Sequence, residues 1–144
     1  MDIRQVTPRE AYELLEQDPS AIYLDVRTEG EFEAGHPAGA RNVPVVFFDP
    51  GARQPVRNPD FVAIVVRQLA PTTKLVVGCQ SGGRSQHACE LLAQAGYTDL
   101  ANVHGGFGGA RDQTGRVVPG WAAAGLPVEQ GQPPGRSYAD LKSK

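Results

Sequence analysis

Residues 74–85 read Lys74-Leu75-Val76-Val77-Gly78-Cys79-Gln80-Ser81-Gly82-Gly83-Arg84-Ser85. A short apolar run rich in β-branched residues ends at a cysteine. A Gly-Gly loop follows, then an arginine, then a segment with helical spacing from Ser85. A strand, a tight loop and a helix N-terminus in that order form an anion cradle. The first N–H groups of a helix have no intrahelical partner and sit at the positive end of its dipole. A cysteine at the mouth of such a cradle is expected to carry thiolate at neutral pH. The stretch therefore predicts a nucleophile that attacks, or is loaded with, something anionic.

Working outward, strands alternate with helices. Thr7, Pro8 and Glu10 form the start of a helix, with a capping box and proline at the first helical position. Ala11, Leu14 and Leu15 give it an apolar stripe, and Asp18-Pro19 ends it. Residues 21–26 read as a buried strand, and 28–34 as a short acidic helix stopped by Gly35 and Pro37. Residues 40–46 are extended, 47–58 are loop, and 59–69 are an amphipathic helix. Leu75–Val77 is the strand before the cysteine, and 85–95 the helix after it, closed by Gly96. Residues 100–103 form a last short strand, and Trp121–Ala124 a final helical turn. This alternation predicts an α/β fold with a parallel sheet covered on both faces. In such sheets ligands bind at the carboxyl ends of strands, where Cys79 lies.

The 144-residue chain fits one domain with its own core. Residues 1–128 are expected to form that domain, and 129–144 a mobile tail in which Tyr138–Leu141 docks. A net charge of −2 gives no electrostatic case for nucleic acid or an anionic membrane. The N-terminal residues have no leader-like apolar run, and no segment approaches membrane-spanning length. A reducing cytoplasm is the expected setting for a free reactive thiol. Cys79 and Cys89 lack the spacing of a zinc site, so no metal is expected.

Each candidate has a plainer explanation. Free cysteine is often a small buried hydrophobe, but the glycines and Arg84 after Cys79 favour reactivity. Arg84 is expected to cap the anion site with its fork of donors. Gly82 and Gly83 are expected to supply unusual φ and to leave no Cβ in the way. Ser81 and Ser85 can donate hydroxyls to the same point, although helix capping alone would explain Ser85. Cys89 falls with Ala88, Leu91, Leu92 and Ala95 on an apolar helix face, which marks it as core. His36, His87 and His104 form no base or metal set. Asp25 and Arg27 read as an internal ion pair with Glu31 or a neighbour.

Leu24-Asp25-Val26-Arg27-Thr28-Glu29-Gly30-Glu31-Phe32-Glu33-Ala34-Gly35-His36-Pro37-Ala38-Gly39-Ala40-Arg41-Asn42-Val43-Pro44 resembles the N-terminal signature of the rhodanese family, with Pro37 where an aliphatic residue is common. Gly105-Gly106-Phe107, Gly120-Trp121 and Gly125-Leu126-Pro127-Val128 resemble the C-terminal signature, interrupted by an inserted surface loop at 108–119. The resemblance implies a rhodanese-like three-layer fold with a five-stranded parallel sheet flanked by helices, and no cofactor. It implies sulfur transfer: thiolate Cys79 takes the outer sulfur of a donor such as thiosulfate, and a thiol or cyanide removes it. Four residues separate Cys79 from Arg84. Phosphatases of similar fold carry a longer loop and a wider cradle, so the short loop favours a single sulfur atom. The resemblance implies that the amides from Gln80 to Ser85 hold the persulfide sulfur as an oxyanion hole holds oxygen. Gln80 stands where the family often has a basic residue, leaving Arg84 as the loop cation. Two other functions compete: a sulfur carrier whose acceptor is a protein thiol, and a cysteine-based phosphatase or arsenate reductase.

Overall fold

A computed structural model describes residues 3–48, 51 and 54–143. In chain order the elements begin with β1 (Ile3–Val6), α1 (Pro8–Gln17), β2 (Ile22–Asp25) and α2 (Glu29–Ala34). Four short strands follow: β3 (His36–Pro37), β4 (Arg41–Asn42), β5 (Val46–Phe47) and β6 (Val56–Arg57). Then come α3 (Phe61–Gln68), β7 (Leu75–Gly78), α4 (Gly83–Gln94) and β8 (Leu100–Val103). The chain closes with β9 (Ala110–Arg111), β10 (Val117–Val118), β11 (Val128–Glu129) and α5 (Tyr138–Ser143).

Five strands form one parallel sheet in the order β1-β8-β7-β2-β4. Every residue of the central strands β7 and β8 is buried, as a sheet covered on both faces requires. Side chains alternate across it. Leu24, Leu75, Val77 and Leu100 pack with Phe61, Val65, Ala88 and Leu92 of α3 and α4. Tyr23, Val76, Ala101 and Val103 pack on the other side with Ala11, Phe32 and Trp121. The result is the rhodanese-like three-layer α/β fold implied by the sequence, and it sets Cys79 directly after Gly78 at the carboxyl edge of β7.

Two capping boxes fix the entrances of α1 and α2. Thr7 pairs reciprocally with Glu10, and Thr28 with Glu31. The segment Trp121–Ala124 is a turn rather than a helix. The Trp121 indole is buried edge-on to Tyr12 and Tyr23 and donates to the Pro127 carbonyl at 2.6 Å. Strand β1 has no counterpart in the sequence-based expectation. Its four residues run from half-buried Ile3 through exposed Arg4 and Gln5 to buried Val6, with no alternation to declare a strand. Pairing with β8 and an Arg4–Asp99 ion pair hold it in place.

The segment after residue 128 departs from the expected mobile tail. β11 pairs antiparallel with β3, while the docking expected of Tyr138–Leu141 is made by α5, which buries Tyr138 and Leu141 against the α3 side of the core. Arg67 and Gln68 donate to the last carbonyls of α5, at 2.9 Å to Lys142 and 2.7 Å to Leu141. Those carbonyls have no partner within the helix, so side chains from a neighbouring helix end stabilise a helix too short to stand alone. The inserted segment 108–119 forms the antiparallel β9–β10 hairpin, with Asp112 closing its turn. In the loop expected over 47–58, residues 49–50 and 52–53 lie outside the described residues. The flanking pairs β5 and β6 run antiparallel.

Candidate active site

The loop from Cys79 to Gly83 turns through the carboxyl edge of the sheet with its backbone dipoles sorted. The Cys79 carbonyl accepts from Phe107 N at 2.8 Å, the Gln80 carbonyl from Gly108 N at 2.9 Å, and the Ser81 carbonyl from Gly105 N at 2.8 Å. Tying the Ser81 carbonyl to Gly105 turns the other end of the same peptide group, the Gly82 N–H, toward the Cys79 sulfur. Cys79 Sγ, only 2% exposed as a residue, accepts from Gly82 N at 3.1 Å and from Ser85 N at 3.4 Å, with Ser85 Oγ also at 3.4 Å. This is the nest geometry that stabilises negative charge.

Two glycines are required for backbone reasons. Gly82 has φ +129°, outside the range of ordinary side-chain-bearing residues. Gly106 has φ +50°, and a Cβ there would lie 2.2 Å from the Cys79 carbonyl oxygen. Gly83 is different from expectation. It has ordinary φ, and a Cβ on it would meet nothing within 4 Å, because it already sits in the first turn of α4.

The other loop side chains point to separate tasks. Gln80 is exposed, accepts from Arg27 Nη1 at 3.4 Å, and lies against Gly108. Ser81 lines a cleft of about 420 Å³ together with Gly82, Gly83, Gln86 and Asn102, and Cys79 is not part of that lining. Arg84 is held by Glu31 through two bonds, Nη1–Oε1 at 2.8 Å and Nη2–Oε2 at 3.0 Å, and lies over the Phe48 ring. Burial disfavours both charges, but the pairing outweighs it. Glu31 is lowered to about 2 by donors from Arg84 and Thr28, and Arg84 is raised by Glu31. Glu31 thus caps α2 and fixes the loop cation. The Thr28-x-x-Glu31 spacing shows the first role, and only the fold shows the second.

Asp25 and Arg27 pair with each other rather than with Glu31. Arg27 Nη2 donates to Asp25 Oδ2 at 2.8 Å and to the Gly35 carbonyl at 2.6 Å, and its guanidinium stacks over Phe107. Both residues are buried, so the pair holds β2, the end of α2 and the segment behind the loop in one arrangement. Cys89 lies within the core, where burial, then Glu90 and Cys79, push its thiol up to about 12. That leaves it inert as a thiolate at neutral pH. Among the described residues no group of three or more His, Cys, Asp or Glu side chains could hold a metal ion. No helix among them is long and apolar enough to cross a membrane.

Residues 7–112 match the sequence profile of the rhodanese-like domain. The chain belongs to the rhodanese-like family. One rhodanese-like relative, thiosulfate sulfurtransferase 16, chloroplastic, of Arabidopsis thaliana, is 40% identical over 107 residues, 74% of this chain and 78% of that protein. Thiosulfate sulfurtransferase 18 of the same plant is 44% identical over 87 residues, 59% of this chain and 62% of its own length. The crystal structure of Rv0390 from M. tuberculosis superposes with a TM-score of 0.72 at 31% identity, covering 91% of this chain and 100% of that one. The profile match ends at Asp112, inside the hairpin that interrupts the C-terminal signature.

Gly106→Ala is expected to destabilise the fold by about 1–3 kcal/mol, from strained φ and the clash with the Cys79 carbonyl. Gly83→Ala is expected to stay within about 0.5 kcal/mol of the parent. Urea unfolding of the two variants checks this; equal effects would contradict it. Glu31 adds a pH dependence. Its folded value is about 2 against an ordinary 4.5, so its contribution is complete above 4.5 and fades as pH falls toward 2. Glu31→Gln should flatten stability against pH in that window, as followed by thermal unfolding. An unchanged slope would remove the Arg84 pairing from the account.

Proposed function

We propose that this chain is a sulfurtransferase that moves a sulfane sulfur from thiosulfate to cyanide or a thiol through a persulfide on Cys79. The observation that carries this is the focus of the Gly82 and Ser85 amides on one buried cysteine sulfur, inside a loop with four residues between Cys79 and Arg84. A cradle that small suits one sulfur atom better than a phosphoryl group. The thiosulfate sulfurtransferase names of family relatives point the same way.

In the first half-reaction the Cys79 thiolate attacks the outer sulfur of thiosulfate. The new S–S bond forms as the old one breaks, and its electron pair leaves with sulfite. Charge is conserved: a thiolate and a dianion give a persulfide anion and a dianion. The inward amides hold the attacking sulfur in place and disperse its charge without reorganising at the moment of reaction. Arg84, its guanidinium fixed in position by Glu31, is the loop cation that draws the anionic donor and steadies departing sulfite. In the second half-reaction the acceptor takes the terminal sulfur, and Cys79 leaves as thiolate.

Intact mass after incubation with thiosulfate, with and without cyanide, tests this on the parent chain and on Cys79→Ser. The parent should gain one sulfur and lose it to cyanide, and Cys79→Ser should gain none. No gain on the parent, or equal gain on the variant, contradicts the proposal.

A further inference from the structure

Behind the sulfur cradle a chain of polar side chains runs from the protein surface to Cys79. Gln86 Nε2 donates to Glu90 Oε2 at 3.3 Å, and Gln5 Nε2 donates to Gln86 Oε1 at 2.6 Å. Asn102 Nδ2 donates to Gln5 Oε1 at 2.8 Å, and Ser85 Oγ donates to Asn102 Oδ1. Ser85 Oγ then lies 3.4 Å from Cys79 Sγ. Glu90 is a carboxylate and can only accept, which fixes the direction of every bond after it. Asn102 must therefore present its oxygen, not its nitrogen, to Ser85. Asn102 is 3% exposed and Ser85 is fully buried, and Asn102 is the one polar side chain of β8. A lone amide in a buried parallel strand is costly unless satisfied, and here both of its ends are engaged.

Ser85 has one hydroxyl proton and three acceptors within reach: Asn102 Oδ1, Cys79 Sγ, and the Gly82 carbonyl at 3.2 Å, which already accepts from Gln86 N at 3.0 Å and so does not need it. When Sγ carries a proton, S–H can donate to Ser85 Oγ while the hydroxyl donates to Asn102, and every group is satisfied. When Sγ is ionised, the hydroxyl must either turn to the sulfur and abandon Asn102, or stay and leave the thiolate with one donor fewer. In a persulfide the charge sits on the terminal sulfur and Sγ is again neutral, so the hydroxyl can stay on Asn102.

We infer that Asn102 is a positioning residue whose Oδ1 competes with Cys79 Sγ for the Ser85 proton, favouring the states with uncharged Sγ: the thiol before loading and the persulfide after it. Its effect on loading rests on the persulfide chemistry proposed above; its effect on the thiol does not. Among the described residues, the charged and titratable groups that bear on Cys79 are Arg84, Tyr23 and Cys89, with Glu31 paired to Arg84 and the Arg27–Asp25 pair reaching the loop at Gln80. His104 lines the cleft beside Asn102. Substitution at Asn102 alters none of them directly.

The test is the rate of iodoacetamide alkylation of Cys79 against pH, in a Cys89→Ala background so that one thiol reports. Asn102→Ala should move the alkylation midpoint down by about half a unit to one unit, the worth of one hydrogen bond. In a Ser85→Ala background the same substitution should move it by nothing, since the coupling passes through Ser85. Gln5→Ala, at an exposed position, should lower the midpoint in the same direction by freeing the Asn102 amide, and keeps the test open if Asn102→Ala does not fold. At a fixed thiosulfate-to-sulfite ratio above the midpoint, the ratio of persulfide to unloaded protein by mass should fall by about the same threefold to tenfold factor in Asn102→Ala. An unchanged or raised midpoint in a folded variant, or a shift that persists without the Ser85 hydroxyl, overturns the inference. If the parent takes up no sulfur while the midpoints shift as stated, the persulfide chemistry fails and the coupling to the thiol stands.

Discussion

Three backbone hydrogen bonds, from the amides of Gly105, Phe107 and Gly108 to the carbonyls of Ser81, Cys79 and Gln80, decide which way the loop faces. A peptide group has two ends, and holding the oxygens on one side commits the loop's N–H groups to the other. The cradle around Cys79 is therefore made by a segment more than twenty residues away in sequence. Gly106 allows the two backbones to approach, and the buried Asp25–Arg27 pair, stacked on Phe107, keeps that segment from moving. The chemistry rests on an arrangement of dipoles that exists before any substrate arrives, which is what makes such sites effective.

Charge around the site is placed with the same economy. Arg84 and Glu31 hold each other at the rim, so the loop keeps a cation whose position is fixed but whose field is partly balanced. Arg27 is committed to Asp25 and Gly35 and touches the loop at Gln80. Under the proposed sulfur transfer, selectivity for a donor would depend on the size of the cradle and on local dipoles more than on net charge. A chain of net charge −2 can hold an anion at one point for this reason.

What the sequence revealed follows from how local each feature is. The strand-cysteine-glycine-helix run is contiguous, so the position of the loop and the parallel sheet could be read directly. The Thr28-x-x-Glu31 capping spacing is local too, but the Glu31–Arg84 pair joins residues 53 apart and needs the fold to appear. Gly83 shows the limit of a local rule: adjacent glycines suggest shared strain, and only Gly82 carries it. β1 and the helical form of α5, of which only the docking of Tyr138–Leu141 was legible, were hidden for a different reason. Each is short and weakly patterned, and each is held by partners elsewhere: β8 for the first, Arg67, Gln68 and the α3 side of the core for the second. Asn102 reads as an oddity in an apolar strand until Gln5 and Ser85 are seen on either side of it.

The central claim is that the Gly82 and Ser85 amides point at the Cys79 sulfur and respond to its charge. Two-dimensional amide NMR of nitrogen-15-labelled protein across the ionisation of Cys79 tests it most directly. The account predicts that the Gly82 and Ser85 amide protons shift downfield together with the thiol's ionisation, while the Phe107 and Gly108 amides keep slow hydrogen exchange throughout. Gly82 and Ser85 resonances indifferent to the state of Cys79 would contradict it.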